Sequence, residues 1–259
     1  MKIGILSGIH EDIIRLEEAL TLLKERDCDT LVCLGDIVGY SVPYYGYFKS
    51  RDAHKAVQLI KSNCKYAVAG NHDIFAVNKT PQISVFKYPD DWSKLSYFEK
   101  AKISSGEVWV YGDELPVLLE PEDEKYLQSL PEYMVQNFGD LKIMFSHYVK
   151  PNLVGDHTKL DASKNSMEEH FDFMKQEDCQ VSIFSHDLQN GVRIFHKDSI
   201  KIFPFGKHEL KGFPIALNGP WVANGTEANG VMVLDTEEMS IEVIPLNTPP
   251  HKVPEWFNK

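Results

Sequence analysis

Residues with metal-binding or proton-transfer chemistry fall in five short polar segments of the chain. The segments are SGIH (7–10), GDIVGY (35–40), GNHD (70–73), SHY (146–148) and SHDL (185–188). Together they supply His10, Asp36, Asn71, His72, Asp73, His147 and His186. Imidazole nitrogens with carboxylate and amide oxygens make a ligand set suited to Mn, Fe, Zn or Ni. A His beside an acid also suits proton donation near neutral pH. Taken singly, each residue has a plainer reading. A lone His after a strand is more often a hydrogen-bonded cap than a ligand. Asp36 suits a turn or helix cap, and GNHD is good turn sequence. The shared position is what favours a site. Each segment follows an apolar run that reads as a strand, and open α/β sheets gather their sites at the carboxyl ends of strands.

The elements that must position these residues alternate in the first third of the chain. KIGILS, TLVCL (30–34) and YAVA (66–69) read as buried strands. Between them, Asp12 to Arg26 places Ile13, Leu16, Leu20 and Leu23 on one helical stripe, and Ala53 to Ser62 does the same with Ala53, Ala56, Val57 and Ile60. Such alternation implies parallel βαβ units. Residues 78 to 120 have weak periodicity and many aromatics, and read as an inserted, partly helical lobe. Those aromatics, among them Trp92, Trp109 and Tyr111, suit the core of the lobe better than a contact surface. Glu122 to Leu130 reads as a short helix, KIMFS (142–146) as a strand, and Asn165 to Lys175 as a helix. From Val181 onward VSIFS, GVRIF, SIKIF, PIALN, GVMVLD and SIEVIPL alternate with turn residues and predict strands. The expected organisation is one α/β domain over 1–259, with an extended tail from 249 to 259.

The 259 residues suffice for a sizeable core. A net charge of −11 repels phosphate backbones and anionic lipid, which argues against a nucleic-acid patch or a membrane-surface role. No apolar run reaches the roughly 18 residues of a membrane span, and no signal-peptide core follows Met1. Cys28, Cys33, Cys64 and Cys179 lack CxxC spacing and read as reduced thiols of a cytoplasmic protein. The sequons at Asn78 and Asn224 are then chance matches. Oligomeric state is not readable from the sequence.

In order and type, the five segments resemble the motifs of the calcineurin-like metallophosphoesterase superfamily, in its compact bacterial form: DxH, GDxVG, GNHD or GNHE, a lone His, and GHxH. EPEDEKYLQSLP (120–131) and LNGPWVANGTEANGVMVLD (217–235) are also similar to family segments. The resemblance spans nearly the whole chain. It implies a four-layer αββα sandwich with two metals at the strand ends. It also implies roles: Asp36 as the bridging carboxylate, Asn71, His147 and His186 completing the second metal site, His10 belonging to the first, and His72 as general acid oriented by Asp73.

Two family positions depart. The acid of DxH is Gly8, and the last His of GHxH is Leu188. In the family both serve the first site only. The first site keeps His10 and the shared Asp36, too few to hold a cation firmly, unless Glu11 or Asp187 substitutes. His10 then becomes a weak ligand or a partner of Asp36. The expected cofactor is one divalent transition metal per chain (Mn, Fe, Zn or Ni). The expected function is hydrolysis of a small phosphorylated substrate, a phosphomonoester or phosphodiester. The competing readings are a non-catalytic relative that binds a metal or phosphorylated ligand, and a pure interaction scaffold.

Overall fold

The computed structural model describes residues 1–42, 47–159, 162–163, 167–187, 190–223 and 228–249. The expected tail beyond Pro249, and Leu188, lie outside the described residues. The strands are β1 (Lys2–Leu6), β2 (Thr30–Cys33), β3 (Tyr40–Ser41), β4 (Tyr66–Ala67), β5 (Glu114–Leu115), β6 (Tyr133–Phe138) and β7 (Leu141–Ser146). They continue with β8 (Val181–Phe184), β9 (Val192–His196), β10 (Ser199–Phe203), β11 (Gly206–Glu209), β12 (Ile215–Asn218), β13 (Gly230–Asp235) and β14 (Ser240–Pro245). The helices are α1 (Ile13–Glu25), α2 (Ala53–Asn63), α3 (Asn71–Ala76), α4 (Tyr97–Ser104), α5 (Pro121–Ser129) and α6 (Met167–Gln176).

The strands form two mixed sheets and a small hairpin-like pair. The first sheet runs β11-β14-β13-β1-β2-β4, the second β10-β9-β12-β8-β7-β6, and β3 pairs with β5. β1, β2 and β4 are parallel to one another, as are β7, β8 and β12. Strand pleat assigns the layers. In β1, Ile3 and Ile5 point into a core shared with Val181 and Ile183 of β8. Leu6 points instead to a cluster with Leu16, Leu23, Val57, Ile60 and Leu127 from α1, α2 and α5. On the far side, Phe184, Met144 and Phe195 meet Met167, Phe171 and Met174 of α6. The order helix, sheet, sheet, helix is the expected four-layer αββα sandwich. Both faces of each central strand are buried, so those strands read as continuous apolar runs. Each fully buried Ile, Leu or Phe here contributes on the order of 1.5–3 kcal/mol by leaving water.

Local signals match the helix starts. Asp12 caps α1 by accepting the Arg15 N–H at 3.3 Å, and Asp52 caps α2 by accepting the Lys55 N–H at 2.9 Å. On α1 the buried stripe is Ile13, Leu16, Ala19 and Leu23; the fourth position expected there, Leu20, is only half-buried. The third strand is shorter than YAVA: its pairing with β2 covers Tyr66 and Ala67, the Val68 N–H still donates to the Cys33 carbonyl at 3.0 Å, and the Ala69 N–H turns to the Pro131 carbonyl at 2.8 Å. Residues 78–120 carry a 3-10 turn at Trp92–Lys94, α4 and β5. Trp92 is buried and Tyr111 half-buried, whereas Phe98 and Trp109 are exposed. The four cysteines are unpaired. No helix among the described residues is long and apolar enough to cross a membrane.

Candidate metal centre

Strand ends from both sheets converge at one edge of the sandwich. The chain leaves β1 through Gly8, His10 and Glu11, at φ values of 59°, 46° and 66°. Asp36 after β2 and His186 after β8 are also left-handed, at 54° and 76°. Non-glycine residues are uncommon in that region, and such conformations cluster at functional sites. Asp73 holds the Asp36 turn in place. Its carboxylate accepts the backbone N–H groups of Asp36 (2.8 Å), Ile37 (2.9 Å), Val38 (3.2 Å) and Gly70 (3.0 Å). Gly35 and Gly70 allow the two turns to touch. A Cβ on Gly70 would collide with the Asp36 carboxylate, and one on Gly35 with the Gly70 backbone.

The Asp36 carboxylate is the centre of the cluster. Its Oδ1 accepts the His72 N–H at 3.1 Å. Its Oδ2 lies 3.1 Å from His147 Nε2 and 3.8 Å from His10 Nε2. His147 Nε2 is in turn 3.1 Å from His186 Nδ1, while its Nδ1 donates to the Leu34 carbonyl at 2.7 Å. That bond fixes the tautomer and leaves Nε2 facing Asp36. Ligand atoms of Asp36, His147 and His186 lie within 4.8 Å of one another, as do those of Asp36, His10 and His72. Asn71 opens α3; its Nδ2 donates to the Tyr111 hydroxyl, and its Oδ1 is buried with no hydrogen-bond partner among the described residues. A buried amide oxygen left unpaired is costly. A cation held by Asp36, Asn71, His147 and His186 would satisfy it, and this donor set fits a divalent transition metal.

Electrostatics separate the histidines. Burial opposes the Asp36 charge, but the His147, His72 and His10 rings outweigh it and hold the carboxyl well below its usual range. Burial lowers His10 and His186 to about 3, so both are neutral at pH 7. His72 goes the other way. Burial opposes its charge, but the Glu114 and Asp36 carboxylates push it up to about 9. Asp73 is pushed up to about 6 by burial and by the Asp36 charge.

Every site residue read from the sequence reaches this edge. The carboxylate hydrogen-bonded to the His72 ring is Glu114, whereas both Asp73 oxygens are taken by backbone N–H groups. Glu11 and Asp187 are engaged elsewhere. Glu11 pairs with Arg51 at 2.5 Å and accepts the Gly39 N–H at 3.1 Å, and Asp187 accepts the Tyr148 hydroxyl at 3.3 Å. Two site residues carry no motif: Glu114, and Tyr111, whose ring lies 4.4 Å from the His72 ring; Trp221, 5.2 Å from the His10 ring, lies in the family-like segment 217–235 but was not read as a site residue. Glu114 and Tyr111 come from the weakly periodic stretch 78–120, where only the aromatic content was a signal.

Two stacked mixed sheets between helices, with a His/Asp/Asn cluster where their strand ends meet, define the architecture of a metallophosphoesterase. The chain belongs to the calcineurin-like phosphoesterase family, which it matches over residues 1–190. An uncharacterised protein of Methanocaldococcus jannaschii is 30% identical over 146 residues, covering 56% of this chain and 48% of that protein. The chain thus spans about half the length of that curated relative. In fold it is similar to a metallophosphoesterase from Sphaerobacter thermophilus, with a TM-score of 0.64 at 17% identity, covering 95% of this chain and 88% of that one. A hypothetical protein from Pyrococcus horikoshii is also similar, with a TM-score of 0.56 at 14% identity and coverage of 99% and 95%.

Proposed function

We propose that the protein is a phosphoesterase with a one-metal centre, cleaving a small phosphomonoester or phosphodiester. The observation that carries this reading is the buried set of Asp36, His147 and His186, with the unpaired Asn71 oxygen, beside a His72 ring backed by Glu114. A divalent ion (Mn, Fe, Zn or Ni) held there supplies Lewis-acid polarisation of phosphate and a lowered pKa for water. For a second ion His10 and Asp36 offer two donors, and the third group within reach, the His72 ring, is hydrogen-bonded to Glu114 and held protonated. His72, held protonated near neutral pH by Glu114 and Asp36, stands as donor to the leaving oxygen. The rings of Tyr111 and His10 at 4.4 and 4.8 Å fix its plane. A second reading, binding without turnover, is favoured by one observation: the family acid of the first site is Gly8 in this chain.

The test is metal content together with turnover. Protein loaded with Mn and desalted should retain about one ion per chain. It should cleave p-nitrophenyl phosphate or its bis-ester, and Asp36→Ala should lose both properties. Two tightly held ions would sink the one-metal reading. Full metal retention without cleavage of either ester would favour the binding protein.

A further inference from the structure

We propose that Trp221 sets the metal stoichiometry by occupying the space of the first site's missing carboxylate. Gly8 sits at φ 59°, and a Cβ built on it would lie 2.7 Å from Cγ, 2.9 Å from Cβ and 3.0 Å from Cδ2 of Trp221. No side chain fits at position 8 while Trp221 stands there. The contact with the Trp221 Cβ does not depend on the indole's rotamer. The backbone cannot draw back either. The Val222 N–H donates to the Ser7 carbonyl and the Ala223 N–H to the Gly8 carbonyl, each at 2.8 Å, and the Gly230 N–H donates to the Trp221 carbonyl at 2.9 Å. The Trp221 segment is thereby stitched to the turn that should present the acid.

The indole also redefines His10. The His10 ring is 5.2 Å from the Trp221 ring on one side and 4.8 Å from the His72 ring on another. Its Nδ1 meets the Gly39 carbonyl at 3.1 Å, and its own carbonyl accepts the Tyr47 hydroxyl at 3.0 Å. His10 is a packed wall between an indole and the proton-donating His72. Gly8 and Trp221 are therefore one coupled feature: neither position can regain the family's two-metal form alone. The metal count in this inference rests on the one-metal reading; the packing does not.

The experiment compares wild type, Gly8→Asp, Trp221→Gly and the Gly8→Asp/Trp221→Gly double variant. Glycine is used at 221 because any other residue keeps the Cβ contact. Each protein is loaded with Mn, desalted and measured by elemental analysis. Wild type, Gly8→Asp and Trp221→Gly should each hold about one ion, and the double variant about two, since a carboxylate at position 8 joins His10 and Asp36. Two ions in Gly8→Asp alone, or one in a folded double variant, would overturn the proposal. A second readout is independent of metal. Gly8→Ala should lower the unfolding midpoint clearly more in the wild-type background than in Trp221→Gly. Equal lowering in both would falsify the plug. A wild type that holds no ion, with that stability coupling intact, would instead remove the one-metal reading and leave the packing inference standing.

Discussion

The His72 imidazole is held from several sides. Tyr111 and His10 rings flank it, its backbone N–H donates to Asp36, and Glu114 binds Nδ1. Glu114 lies on β5, which pairs with β3 in the register Ser41↔Glu114, so a two-strand ladder places the carboxylate. Loss of that charge leaves an imidazolium buried with one counter-ion fewer. Glu114→Gln is therefore expected to lower kcat by about 10- to 100-fold, a part of the roughly 10²–10⁴-fold that a positioned proton donor contributes, because His72 itself remains. Mn content should stay at the wild-type value, because Glu114 belongs to no ligand group. An unchanged kcat would remove His72 from proton transfer. The residues of the five segments were legible in the sequence because each ends an apolar strand. Glu114 and Tyr111 were not, because what brings them in is tertiary: a strand pair two residues long and a hydroxyl bonded to Asn71; the segment of Trp221 was legible, but its contact with Gly8 was not. Asp73 shows the limit of motif reading. The family resemblance implied that it orients His72, but its oxygens face the four N–H groups of two turns.

Among the elements, α6 is fastened to the second sheet by a histidine as well as by Met167, Phe171 and Met174. His170 is buried; its Nδ1 accepts the Lys150 N–H at 3.1 Å, and its Nε2 meets the Ser182 hydroxyl at 2.8 Å. Both ring nitrogens are used by the neutral form, and burial lowers the group to about 3. The folded pKa thus lies below the ordinary 6.5, so the unfolded chain binds the proton first. The stability this group contributes is complete above about 6.5 and is lost as pH falls toward 3, with a limiting slope of about 1.4 kcal/mol per pH unit. Urea unfolding with chelator present, between roughly pH 4.5 and 7, should show a shallower loss in His170→Gln than in wild type. The buried His10 and His186 titrate in both proteins and cancel in that comparison. Parallel pH dependences would show that the α6 contact does not govern acid sensitivity. The helices α1 and α2 were legible because their apolar stripes and Asp caps agree. β6 and β11 were not: β6 is half-buried without clean alternation, and β11, GKHE, is a polar strand that among the described residues pairs only with β14. Strand propensity depends on neighbours that a linear reading does not supply.

For the whole molecule, the site belongs to neither sheet alone. Asp36 and Asn71 follow β2 and β4 of the first sheet, and His147 and His186 follow β7 and β8 of the second. The alternation of strands and helices made the α/β class visible early, but this sharing follows only from the stacking of the two sheets over the Ile3, Ile5, Val181 and Ile183 core. An ion bound by those four residues would tie the sheets together at the edge where that apolar core gives way to polar groups. The unfolded chain separates the ligands by more than a hundred residues, from 36 to 186, and offers no preformed site. Binding to the folded form alone stabilises it by about 2.7 kcal/mol when the free ion is at a hundred times its dissociation constant. For a chain of this size that corresponds to a rise in Tm of roughly 5–10 °C. Thermal unfolding with added Mn should show this rise, a chelator should reverse it, and Asp36→Ala should abolish it while keeping the fold. His147→Ala, on the opposite sheet, should abolish it equally. A rise that survives either substitution would place the ion elsewhere, and the link between the two sheets would then rest on apolar packing alone.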